Sequence, residues 1–74
     1  MSGLAQVNAG GEVYPPIMNE IQASRYIRLS QKTLYNLRRK GEMAYIKFGD
    51  AIRYYKTDLD AYIQRHRIPP MEGN

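Results

Sequence analysis

Gln31, Lys32, Thr33, Tyr35, Asn36 and Arg39 lie within nine consecutive positions and carry amide, ammonium, hydroxyl, phenol and guanidinium groups. Asn and Gln amides can pair with adenine in a bidentate way, and Lys and Arg suit guanine or phosphate. Ser30, just ahead of them, offers a helix N-terminus, a natural phosphate site. From Arg25 to Lys40 there are six basic residues and no acidic one. Other chemistries find no support. His66 is the single histidine, in "RHR", and there is no cysteine. Asp58 and Asp60 are two apart on an expected helix, so they face different ways and form no acid–base pair. "GG" at 10–11 lacks the spacing of a phosphate loop. No enzyme, metal site or cofactor is expected.

The elements that must hold these groups can be read in order. Residues 1–16 are expected to be a flexible N-terminal tail, ending in "YPP", whose prolines disfavour helix before them. Asn19 is an N-cap, and Gln22 stands three residues later as a capping box requires. Ala23, Tyr26 and Ile27 form the apolar stripe of a first helix. Ser30 caps a second helix almost at once, leaving Arg28 and Leu29 as a tight turn. The second helix runs from about Gln31 to Lys40, with Gly41 in the left-handed position past its end. At 100° per residue, Leu34, Leu37 and Gly41 share one side. Lys32, Tyr35, Asn36 and Arg39 share the other, and Arg38 lies at the boundary.

Two alternating runs follow, Ile46/Phe48 and Ile52/Tyr54, around "GDA" at 49–51. The alternation favours a three-residue loop, Gly49–Ala51, pairing Phe48 with Ile52 and Ile46 with Tyr54 on one face. That register sets Lys47 opposite Arg53, a like-charge pair that an anion would relieve. A third helix is expected from an N-cap at Thr57, with Leu59, Tyr62 and Ile63 as its buried stripe. Asp58 and Asp60 suit its first turn. "IPP" at 68–70 stops it, and residues 68–74 are expected to be a tail. The fold class is small α+β, with the plan of a winged helix-turn-helix at 17–67.

Composition agrees with one small domain. The chain has 74 residues, 43% of them hydrophobic, and a formal net charge of +4. Charge of that sign favours a polyanion or an anionic surface as partner. No run approaches the ~18 apolar residues of a membrane span, and no signal-peptide layout is present, so a cytoplasmic protein is expected.

Residues 18–63 resemble the excisionase-type DNA-binding domains, which are related to the heads of mercury-resistance-type regulators. The resemblance rests on "NEIQA", on "Y-I-x-L-S-x-x-T-L-Y-x-L" from Tyr26 to Leu37, and on "KGEM" at 40–43. "K-x-G" at 47–49, "RY" at 53–54 and "DLDAYI" at 58–63 complete it. The resemblance implies a second helix that enters the major groove and a hairpin wing along the minor groove. Two departures stand out. The wing tip is Asp50 and Ala51, where the family is commonly basic. Arg38 stands where the family often has an apolar residue, with its stem on the core and its head free to reach phosphate.

On this reading Gln31, Lys32 and Asn36 are the base readers, near the start of the recognition helix. Arg38, Arg39 and Lys40 are phosphate clamps. Ser30 caps and sits at a phosphate position, and Thr33 either contacts DNA or supports the helix start. Tyr35 stacks or bonds phosphate, or packs on the first helix. Tyr26, Tyr54 and Tyr62 are core, and Tyr45 and Tyr55 stay open. Lys47 and Arg53 are wing phosphate contacts. Arg25 and Arg28 add backbone contacts or are plain surface. The expected partner is double-stranded DNA, joined by an integrase and by neighbouring copies of the chain. Neither a membrane nor a small-molecule effector is expected, since no long dimer helix and no ligand domain can be seen. The function implied is that of an excisionase, or recombination directionality factor, that binds repeated sites and bends DNA. A small transcription regulator of an integrated element is the alternative, and a protein-interaction module without DNA a third.

Overall fold

A computed structural model describes residues 13–71 and the backbone pairing of residues 6–7. In chain order the strands are β1 (Gln6–Val7), β2 (Val13–Tyr14) and β3 (Ile17–Met18). Helices α1 (Glu20–Ile27) and α2 (Gln31–Arg39) follow, then strands β4 (Ile46–Phe48) and β5 (Ala51–Tyr55), then helix α3 (Lys56–Arg65). β1 pairs with β2, and β5 lies between β3 and β4 in a three-stranded antiparallel sheet. Three helices against this sheet make a winged helix-turn-helix.

The caps of the first two helices form as their residues dictate. The Asn19 side chain accepts from the Gln22 N–H at 2.8 Å, and Gln22 Oε1 accepts from the Asn19 N–H at 3.0 Å. Both orphan donors of the helix start are thereby satisfied. The Ser30 hydroxyl accepts from the Thr33 N–H at 3.0 Å. Between the helices Arg28 takes the left-handed conformation at φ 65°, and the Leu29 N–H reaches the Ser24 carbonyl at 3.1 Å. Gly41, at φ 78°, ends α2. The Glu42 N–H then bonds the Leu37 carbonyl at 2.9 Å, closing a Schellman turn.

The core consists of Tyr14, Met18, Ala23, Ile27, Leu34, Leu37, Met43, Tyr54 and Leu59, with Tyr26, Leu29, Ile52 and Tyr62 packed against it. Both helices of the turn, the sheet and α3 all contribute, so α1 and α2 are fixed to the sheet and not only to each other. The Tyr26 hydroxyl donates to Asp60, tying α1 to α3. Lys56 pairs with Asp60 at 3.6 Å. No helix among the described residues is long and apolar enough to cross a membrane.

The structure corrects four expectations. The N-terminal tail does not reach residue 16, because Tyr14 is only 5% exposed and meets the Tyr26 ring edge-on at 5.1 Å. The rest of that tail, residues 1–5 and 8–12, lies outside the described residues, as do 72–74 of the C-terminal one. The hairpin uses a two-residue turn, Gly49–Asp50, that pairs Ile46 with Arg53, Lys47 with Ile52 and Phe48 with Ala51. Gly49 stands at φ 61°, and glycine first in the turn suits a II′ hairpin. Phe48 is therefore not on the buried face and is 58% exposed.

The third helix starts at Lys56, with Tyr55 in the N-cap position and no side-chain cap. The cause is the sheet. β5 stays paired to β3 as far as Tyr55 opposite Ile17, and the Lys56 N–H donates to the Pro16 carbonyl at 2.8 Å. That bond satisfies one of the donors at the helix start without a capping side chain. Finally, Ile63 is 39% exposed, so the buried stripe of α3 is Leu59 with half-buried Tyr62.

Candidate nucleic-acid interface

α2 buries Leu34 and Leu37 and turns Gln31, Lys32, Thr33, Tyr35, Asn36 and Arg39 outward, all exposed. Among the described residues, the side chains of Gln31, Lys32 and Asn36 have no hydrogen-bond partner and no ion pair. Uncommitted amide and ammonium groups thus stand together on the outer side of one helix, which is what reading base edges requires. The other polar groups of the helix are engaged. The Ser30 hydroxyl donates to the Thr33 hydroxyl at 2.9 Å, so both build the helix start. Arg39 Nη1 donates to the Tyr35 hydroxyl at 2.7 Å, and its guanidinium lies 5.6 Å from the Tyr35 ring centre. Lys40 caps the helix end, exposed.

Arg38 behaves differently from its neighbours. Its Nε donates to the Tyr54 hydroxyl at 3.0 Å, and Tyr54 in turn donates to Glu20 Oε1 at 2.8 Å. Arg38 Nη2 lies 3.7 Å from the same carboxylate oxygen. Tyr54 is fully buried, and burial pushes its phenol up to about 12; the Glu20 acceptor adds to the rise and the Arg38 donor opposes it. Glu20 and Tyr45, both near this cluster, carry no signal in the sequence that would place them there. The residues are far apart in the chain, and only the fold assembles them.

The wing presents less charge than the sequence suggests. Lys47 is exposed and pairs with Ile52, while Arg53 pairs with Ile46, so the two cations sit on opposite faces of the hairpin. Lys47 and Arg53 therefore form no like-charge opposition for an anion to relieve. Arg53 is half-buried and its Nη1 donates to the Ile52 carbonyl at 2.8 Å. The turn itself is Gly49 and the acid Asp50, both exposed. Arg28 is exposed in the interhelical turn. Arg25 is exposed on α1, beside a shallow cleft lined by Val13, Tyr14 and Gln22.

Two helices joined by a three-residue turn, a sheet-borne hairpin and an outward polar face on the second helix define a winged helix-turn-helix binding domain. Residues 21–67 match the model of a family described as a helix-turn-helix domain, and the chain belongs to that family. The match covers well over half of the chain and both candidate contact elements, α2 and the β4–β5 hairpin. Membership in a helix-turn-helix family implies DNA binding, with DNA as the partner. No curated protein matches the chain.

Proposed function

We propose that the protein binds double-stranded DNA in a sequence-specific way as an excisionase-type factor, which occupies repeated sites and bends the duplex so that an integrase can assemble for excision. The observation that carries the reading is the trio Gln31, Lys32 and Asn36, exposed on α2 with their side chains uncommitted. They read bases, while Arg39 and Lys40 hold phosphate. Tyr35, already bonded to Arg39, presents its ring beside them. Lys47, at the wing, and Arg28, in the turn, add backbone contacts; Arg53 and Arg25 add weaker ones. One such module covers about 600–1,000 Å² of DNA-binding surface, which limits a single copy's affinity. Neighbouring copies on direct repeats supply the remainder and share the cost of bending.

The outer face of the sheet supports a protein contact beside the DNA contact. Ile17, Phe48 and Tyr55 are all exposed there, and patches of this kind mark partner sites. An integrase or an adjacent copy is the partner this reading assigns. The same binding chemistry would serve a small transcription regulator, so the arrangement of sites decides between the two.

Selection of bound duplexes from a random-sequence pool at moderate salt, with sequencing of the bound fraction, tests the proposal. A short motif enriched in tandem direct repeats is the expected result. A single site or an inverted repeat would point to a conventional regulator. Absence of any enriched motif would remove the base-reading roles of Gln31, Lys32 and Asn36.

A further inference from the structure

Arg38 is one of three consecutive basic residues at the end of α2, yet it alone of the three faces inward. Its side chain is 15% exposed, against 25% for its partner Glu20. The guanidinium is surrounded. Tyr54 accepts from its Nε, Glu20 compensates its charge, and the rings of Tyr35 and Tyr45 lie 5.0 and 5.5 Å from its centre. These five residues come from α1, α2, the α2–β4 connection and β5. The Tyr54 hydroxyl accepts from Arg38 and donates to Glu20, so the network is closed on itself. Moreover β5 is the central strand, paired to β4 on one side and β3 on the other. Whatever ties α2 to Tyr54 therefore ties the recognition helix to the wing.

We propose that Arg38 is a positioning residue, not a phosphate contact. Through Tyr54 and Glu20 it sets the placement of the recognition helix relative to the wing, and it holds the exposed rings of Tyr35 and Tyr45 against itself. The proposal rests on the DNA-binding reading for its functional consequence. A helix held at one angle to the wing can satisfy base contacts and backbone contacts in a single register. A helix free to rock keeps its backbone contacts and loses the base contacts, because phosphates tolerate displacement and base edges do not. Arg38 already has a carboxylate beside it, so it brings no uncompensated charge to the duplex.

The test uses Arg38→Met, which keeps the apolar stem, and Tyr54→Phe, which leaves Arg38 in place and removes its acceptor. Affinity for a selected duplex and for a random duplex is measured over a range of salt. For both variants the ratio of specific to random binding should fall about tenfold, the size of one mismatched base pair. The log–log salt slope should stay at the wild-type value. The double variant should be no worse than Arg38→Met alone, as expected of residues acting as one unit. A phosphate clamp predicts otherwise: a slope shallower by about 0.9 and equal weakening on both duplexes. That result, or unchanged discrimination, would overturn the proposal.

A second readout does not require DNA. The chain has no cysteine, so spin labels at Asn36→Cys and Asp50→Cys report the distance from recognition helix to wing tip without background. The distance distribution should broaden in Arg38→Met and in Tyr54→Phe. A distribution as narrow as wild type in both would refute positioning. Failure of the unsubstituted protein to bind any duplex would instead remove the DNA-binding reading, and the width of this distribution would then decide the role of Arg38 by itself.

Discussion

Arg28 and Gly41 hold the same left-handed backbone region, at φ 65° and 78°, but at different cost. An L-residue there gives up about 1–2 kcal/mol against the right-handed form, and glycine gives up none. Nothing lies within 4 Å of a Cβ built on Gly41. Gly41→Ala should therefore lose about 1 kcal/mol through the backbone alone. Arg28→Gly should be neutral or slightly stabilising, because relief of strain offsets the added freedom of the unfolded chain. Urea unfolding of both variants measures the contrast, and equal losses would contradict it.

Tyr54 gives a second residue-scale expectation, this one in pH. Its phenol is pushed from 10.0 up to about 12, so between those values the native state keeps a proton that the unfolded state has released. Stability is then fully present below pH 10 and falls as pH rises toward 12. Burial raises the Tyr26 phenol too, helped by its bond to Asp60, so it acts with the same sign. Tyr54 should contribute on the order of 1–2 kcal/mol of this alkaline loss. Tyr54→Phe should flatten that part of the profile while costing about 1–3 kcal/mol at neutral pH through its broken hydrogen bonds. Chemical denaturation of both proteins across pH 8–12 compares the two profiles.

At the scale of elements, what can be read in the sequence is what is decided locally. Asn19 with Gln22, Ser30 with Thr33, and Gly41 past α2 each act within four residues, and each cap forms as its residue types imply. The outward face of α2 is legible for the same reason, because Leu34 and Leu37 fix its rotation. The elements that depart from the sequence reading are those decided by distant partners. Thr57 has the chemistry of a cap, but the pairing of β5 with β3 carries the strand to Tyr55 and starts the helix at Lys56. The hairpin register escapes the alternation argument because alternation specifies register only where one face is buried. Here Ile46 and Phe48 lie toward the outer face, and "GD", a glycine-first turn dipeptide, is the better guide. The Arg38 cluster has no sequence signature at all, since Tyr54 is 16 residues from Arg38 and 34 from Glu20.

The corrected hairpin carries its own prediction. Asp50 is exposed at the tip, next to Gly49. An acid there repels the phosphates a wing approaches, and its side chain makes no bond within the described residues that its replacement would break. Asp50→Lys should tighten DNA binding several-fold and steepen the log–log salt slope by about 0.9, one added phosphate contact. Stability should change by less than about 0.5 kcal/mol, as for other surface substitutions. An unchanged slope would place the wing tip away from the duplex.

For the whole molecule, stability and binding are linked. A 74-residue chain without cysteine has no disulfide to support its core. A domain this small buries only about 60% of its unfolded surface, so its intrinsic stability is modest. DNA that binds only the folded form must raise that stability, by about 2.7 kcal/mol when its free concentration is 100 times the dissociation constant. For a domain of 60–100 residues that corresponds to a rise in Tm of roughly 10–20 °C. Salt should separate the two contributions. Five to eight neutralised phosphates imply a log–log slope of roughly −5 to −7, so raising salt from 50 to 200 mM should erase most of the DNA-induced rise. The free protein should melt at nearly the same temperature at both salts. Among the described residues, the ion pairs Arg38–Glu20 at 3.7 Å and Lys56–Asp60 at 3.6 Å are contacts of a kind that contributes little when exposed and is weakly screened when buried. A melting series with and without a selected duplex therefore distinguishes three cases. Salt-sensitive stabilisation that is larger for the selected duplex than for a random one is expected of a specific binder. Equal stabilisation by both duplexes would mean that phosphates alone are recognised. No stabilisation at low salt would mean that the uncommitted face of α2 meets a protein and not DNA.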